Sequence, residues 1–114
     1  MDSRISALIT KSLDGLSLRS MVTAQNIANA NTPNYRPLRV SFENALRAAS
    51  QSGGDIDQAV PLRLTQEPAT GTNGGERMDM ELATQSETAL RYGALIDVLG
   101  RELQLQHTII RGGQ

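Results

Sequence analysis

The stretch NIANANTPNYRP, Asn26 to Pro37, decides how this chain folds, because a long helical pattern stops inside it. Upstream, Ile5, Ile9, Leu13, Leu16, Ala24 and Ile27 recur at steps of three, four or their sums, which lays them along one stripe of a helix. Leu18 and Val22 fall on the other side, so the apolar surface is not one clean face. Gly15 in the helix interior costs about 1 kcal/mol relative to Ala, and a kink or break is expected there. Pro33 ends the run: it has no N–H to donate and pushes Thr32 out of the α region. Pro33 and Asn34 suit the two central positions of a type II turn, the second of which needs a positive φ that Asn tolerates. Tyr35 is expected at the corner, its ring against the helix end.

The asparagines before the proline need a separate account. Asparagine competes with the backbone for hydrogen bonds and is a poor helix former. Yet Asn26 and Asn29 sit three apart, on one side of the last turns. Their amides both donate and accept. In one reading they form a polar docking patch for a helix of a neighbouring subunit. In the other, the stretch is an ordinary C-cap and turn, which explains Pro33 and Asn34 but not the earlier asparagines.

Beyond the turn the pattern changes. RVSFENALRAAS, Arg39 to Ser50, reads as a short helix with Phe42 and Leu46 four apart. The following QSGGDIDQAVPLRLTQEPATGTNGGER carries two Gly-Gly pairs, Pro61 and Pro68, a density of breakers that argues against helix. Val60 to Thr65 reads as a brief strand and the rest as flexible loop. From about Met78 the helical period returns. Leu82, Ala89, Ile96, Leu103 and Ile110 lie seven apart, with Gln85, Tyr92, Leu99 and Gln106 between them, a heptad seam. Leu95, Val98, Leu105 and Ile109, around Glu102, form a second seam. The N-terminal helix fills one seam; the other is left for further copies or other proteins, as exposed apolar strips of this length usually mark interaction surfaces. A monomeric hairpin with the loop folded under the second stripe is the alternative. The class is mainly α, divided into a helix and motif over 1–35, a Gly/Pro-rich flexible segment with a short helix over 36–78, and a helix over 79–114.

Composition narrows the chemistry. A chain of 114 residues with one Phe, two Tyr and no Trp makes a thin core, which points to stability supplied by other subunits. A net charge of −1 offers no basic field for nucleic acid or an anionic membrane. Without cysteine there is no disulfide or thiolate chemistry. The start, Met1 to Ile5, lacks the basic and apolar regions of a secretory signal, and no 18-residue apolar run exists. His107 has no second His or Cys with which to share a metal. Asp55 and Asp57 lie in a loop without the central Gly and final Glu of an EF-hand. Asp79 and Glu81 suit a helix N-terminus better than acid–base work. GTNGGER lacks the Lys-Ser/Thr of a phosphate loop. The expectation is a chain without catalytic residues, cofactor, metal or small-molecule substrate.

QNIANANTPNYRP resembles the N-terminal signature of the bacterial flagellar axial proteins, the rod, hook and hook-associated subunits, which carry Asn-Ile-Ala-Asn-Ala-x-Thr-Pro-Gly-Tyr there. Asn34 stands where that family usually has Gly, a mild departure because Asn is the next best residue for positive φ. ETALRYGALIDVLGRELQLQHTIIRGGQ is similar to the ending of the proximal rod subunits, with their Ala-Leu-Arg-Tyr segment and terminal Gly-Gly. The resemblance covers about the first 37 and last 35 residues. It implies that the terminal helices pair as an antiparallel coiled coil, through Ile5, Ile9, Leu13 and Leu16 on one side and Leu82, Ala89, Tyr92, Ile96, Leu99, Leu103 and Ile110 on the other. It makes Asn26, Ile27, Ala28, Asn29, Thr32, Pro33, Asn34 and Tyr35 an assembly motif. It further implies export by the flagellar type III apparatus without a cleaved signal, and a place in the periplasmic rod of the basal body. The implied partners are other copies, other rod proteins and the membrane-ring adaptor. Against this structural subunit stand another short rod subunit, a generic self-associating helical adaptor, and a wall-remodelling enzyme, which would need two carboxylates held in a cleft.

Overall fold

A computed structural model describes residues 3–68 and 74–112. The first element, α1, runs from Ser3 to Ala28 without interruption through Gly15. The expected break is absent, and the reason is packing. A Cβ at Gly15 would lie 2.5–2.7 Å from carbons of the Phe42 ring, so the ring rests directly on the helix backbone.

The middle of the chain departs most from expectation. It forms strand β1 (Leu38–Ser41), helix α2 (Glu43–Ser52), a single helical turn α3 (Ile56–Ala59) and strand β2 (Arg63–Gln66). The strands pair antiparallel, in a register from Leu38 opposite Gln66 to Ser41 opposite Arg63. Gly53 and Gly54, at φ 75° and 105°, make the left-handed turn between α2 and α3. The short helix read from Arg39 starts at Glu43, because Arg39 to Ser41 pair with β2 instead. The flexible loop expected here is a correction: Val40, Phe42, Ala49, Ile56 and Val60 converge with Leu16 and Val22 of α1 into one buried cluster. Breakers do stop helices, but local composition is blind to scattered apolar residues that meet in space. The expected loop residues 69–73 lie outside the described residues.

The last element, α4, spans Gly74 to Gly112, which at about 1.5 Å per residue accounts for most of the molecule's 64 Å length. It lies antiparallel to α1: contacts step from Ala30 with Arg77, through Asn26 with Glu81 and Ser20 with Gln85, to Ile5 and Ile9 beside Val98 and Leu105. Here the faces differ from the apolar stripes of the sequence. On α1 the buried stripe is Ile9, Ser12, Leu16, Thr23 and Asn26, followed by buried Ala30 in the turn. Ile5 and Ala24 are exposed, and Leu13 and Ile27 half-buried. Leu18 and Val22, the residues that spoiled the single stripe, pack with the middle segment. On α4 the covered positions are Glu81, Gln85, Thr88, Leu95, Leu99 and Glu102, whereas Leu82, Ala89, Tyr92, Ile96, Leu103 and Ile110 are exposed. The intrachain face is thus turned by one residue from the seam that hydrophobicity suggests, because polar side chains occupy it.

Candidate assembly site

The opening motif folds into a corner that joins α1, β1 and α4. After Ala28 the chain leaves the helix through Asn29 and turns at Pro33-Asn34. The N–H of Tyr35 donates to the Thr32 carbonyl at 3.2 Å, and Asn34 has φ 63°. That is the left-handed residue a type II turn requires.

Asn26 is the centre of this corner. Its side chain is 1% exposed. The Leu38 N–H donates to Asn26 Oδ1 at 3.0 Å, and Asn26 Nδ2 donates to the Leu38 carbonyl at 2.9 Å. The amide thereby meets both hydrogen-bonding groups of Leu38, as a neighbouring strand would. The Tyr35 hydroxyl donates to Asn26 Oδ1 at 3.1 Å, and Asn26 Nδ2 also donates to Glu81 Oε2 at 3.2 Å. One amide therefore ties the turn, the strand and the opposite helix. Asn29 works more locally: its Nδ2 donates to the Gln25 carbonyl at 2.9 Å and its Oδ1 accepts from the Thr32 hydroxyl at 3.1 Å. Asn26 thus meets a polar group of the adjoining helix within its own chain, whereas the bonds of Asn29 are local to the turn. Of the remaining motif residues, Ile27 and Tyr35 are half-buried, and Ala28, Thr32, Pro33 and Asn34 are exposed.

Glu81, read from the sequence as helix-terminal charge, is instead 2% exposed and buried in this corner. Arg39 Nη1 meets Glu81 Oε1 at 2.6 Å, while Arg39 Nε meets Glu67 Oε1 at 2.9 Å. Burial alone would lower the Arg39 pKa, but hydrogen bonds and charge from Glu67 and Glu81 outweigh it and hold the guanidinium above its ordinary value. A buried carboxylate is tolerated only when paired and hydrogen-bonded, and this one is both. Arg36 and Pro37 extend the tie: Arg36 Nε donates to the Glu67 carbonyl at 2.9 Å and the Glu67 N–H to the Pro37 carbonyl at 2.8 Å.

A second polar clamp sits further along α1. Arg19 reaches both carboxylate oxygens of Glu43, at 2.6 and 2.7 Å, donates to the Val40 carbonyl at 2.7 Å, and lies 5.1 Å above the Phe42 ring. The Arg19 hydrogen bond lowers the Glu43 pKa against the opposing effect of burial. Sequence reasoning missed Glu81, Arg39, Arg19 and Glu43. The one available signal was that Glu81, Thr88, Leu95 and Glu102 also lie seven apart, a heptad hidden by its polar members.

The arrangement ties the turn, the strand and both long helices together. Among the described residues no group of three or more His, Cys, Asp or Glu could hold a metal ion, and no helix is long and apolar enough to cross a membrane. The chain is mainly helical, with a buried polar corner and exposed apolar residues along the outer face of α4. The sequence model for flagella basal body rod proteins matches residues 16–36, the segment that builds the corner. The chain is similar to the flagellar basal body rod protein FlgB of Salmonella typhimurium, 26% identical with 99% of each chain covered. It is also similar to that of Bacillus subtilis, 24% identical over 93% of this chain and 92% of the relative. Over a segment of 37 residues, 32% of this chain and 27% of the relative, identity to FlgB of Borreliella burgdorferi reaches 51%. Along its whole length, and most strongly in the segment that builds the corner, the chain is thus similar to flagellar basal body rod proteins.

Proposed function

We propose that this chain is a subunit of the proximal rod, and that it polymerises through its terminal helices once the flagellar type III apparatus has exported it without a cleaved signal. In this reading α1 and α4 supercoil as an antiparallel pair, and the outer seam of α4 meets other copies, other rod proteins and the membrane-ring adaptor. The observation that carries it is that seam. Ile96, Leu103 and Ile110 are 44%, 56% and 65% exposed, one heptad apart on a helix that turns Glu81 and Thr88 inward. Each such side chain contributes roughly 1.5–3 kcal/mol when fully buried, so a neighbour covering several of them gains substantially. The assembly motif acts indirectly: the corner built by Asn26, Asn29, Pro33, Asn34 and Tyr35 fixes how the helix pair leaves the rest of the subunit.

Ile96→Asp tests the reading. The site is exposed in the free chain, so the stability of the isolated protein should change by no more than about 0.5 kcal/mol. Incorporation into rods, and motility, should be lost, because an unpaired charge would be buried at the contact. Normal motility would show that the outer seam is not an assembly surface. A pull-down of rod and ring proteins on the purified chain separates a rod subunit from a generic self-associating adaptor, which would retain only itself.

A further inference from the structure

Helix α4 has two faces to offer α1 and buries the less apolar one. Near the corner the seam places buried Asn26 of α1 against buried Glu81 of α4, followed along α4 by half-buried Gln85 and buried Thr88, with Gln85 Nε2 donating to the Ser20 carbonyl at 3.2 Å. One residue away, about 100° round the helix, lie Leu82, Ala89 and Ile96, all exposed. Apolar burial by itself would roll α4 by that angle and draw the outer seam inward.

We infer that the Asn26–Glu81–Arg39 cluster selects the face and register of α4, and so keeps the apolar seam outward for a neighbouring subunit. This rests on reading that seam as an assembly surface. Glu81 gives one carboxylate oxygen to Arg39 at 2.6 Å and the other to Asn26 at 3.2 Å. A roll by one residue withdraws both oxygens at once. It leaves the Asn26 amide facing Leu82 and leaves Arg39 with Glu67 as its one carboxylate partner. A single polar residue in a helix seam fixes alignment in this way, because every other alignment buries a group without its partner. Glu81, Asn26 and Arg39 are positioning residues: they decide which surface α4 shows.

The chain has no cysteine, which makes the face directly readable. In the full-length chain at low concentration, Ser20→Cys with Gln85→Cys reports the observed face through a short bis-maleimide cross-linker. Ser20→Cys with Ser86→Cys reports the face rolled by one residue. In the parent the first pair should cross-link at least about tenfold more than the second, since the roll leaves both the Asn26 amide and the Glu81 carboxylate unpaired and two such groups together outweigh a factor of ten. Glu81→Leu should erase or invert that preference while far-UV circular dichroism keeps its helical content. Thr88→Leu makes the same seam more apolar but spares the cluster, and should keep the parent ratio. A parent ratio in Glu81→Leu would overturn the inference. Should that variant not fold, Asn26→Leu combined with Glu81→Leu removes both mismatched partners and carries the same readout. Failure of both to fold would also overturn it, because the cluster would then hold the fold itself rather than choose between faces. Loss of rod incorporation in Ile96→Asp with an unchanged ratio would leave both ideas standing; normal incorporation would remove the assembly reading and leave face selection untouched.

Discussion

The two ends of the α1–α4 pair are held by different physics. At the corner, Asn26, Tyr35, Leu38, Arg39 and Glu81 form a connected set of hydrogen bonds and one buried ion pair, all within the chain. At the far end, Ile5, Val98, Leu103, Leu105, Ile109 and Ile110 are exposed, and apolar side chains line a wide groove between the helices. A polar network fixes geometry because each group accepts few partners in few directions. Apolar surface fixes no geometry but contributes binding free energy to any neighbour of matching shape. The corner is therefore suited to defining one shape of the chain, whereas joining subunits through the far end belongs to the function proposed above.

The largest effect that could break this comparison is at Asn26. Asn26→Ala leaves the Leu38 backbone, the Tyr35 hydroxyl and part of Glu81 without partners, each worth about 1–3 kcal/mol when buried and unpaired. The melting temperature should fall by on the order of 10 °C or more, whereas Ile110→Ala at the far end should leave it almost unchanged. Equal melting of the two variants would erase the distinction between the ends. Next comes Gly15→Ala. Its better helix propensity, about 1 kcal/mol, is opposed by a methyl group driven into Phe42, and overpacking costs roughly 1–3 kcal/mol. Denaturant unfolding should show a net loss; a gain would mean that Phe42 moves aside freely. Smaller still is Asn34, where Val should cost about 1–2 kcal/mol in the left-handed region and Gly should be neutral or slightly favourable. A Val variant as stable as the parent would show that the turn adjusts its φ.

The smallest expected effect is a pH dependence at Glu43. Arg19 lowers its pKa in the folded state, so its contribution is fully present above the unfolded carboxylate value of about 4.3 and is lost as pH falls through the folded one. The side chain is partly exposed, and solvent screens the pair, so the contribution is modest. Glu43→Gln should flatten the acid limb of stability measured from pH 6 downward. An unchanged limb would mean that the Arg19–Glu43 pair does not set the acid sensitivity of the fold.

Much of the architecture was legible in the sequence. The helix stopped within the asparagine-rich stretch, at Ala28 and so ahead of Pro33, and Asn34 took the positive φ, a local constraint of covalent geometry. The two long helices followed from periodicity, which is likewise local, and the short strand expected over Val60 to Thr65 appears at Arg63 to Gln66. The corner motif was visible as asparagines without a local purpose, yet their partners were not. Glu81 lies 55 positions from Asn26, and Phe42 lies 27 from Gly15. Nothing in a helical wheel tells which distant carboxylate an amide will meet. Periodicity by itself determined that α1 and α4 are helices with more than one usable face. Which face turned inward, and whether the Gly/Pro-rich middle folded over α1, only the tertiary structure decided, because buried polar groups bind by pairwise match rather than by hydrophobicity.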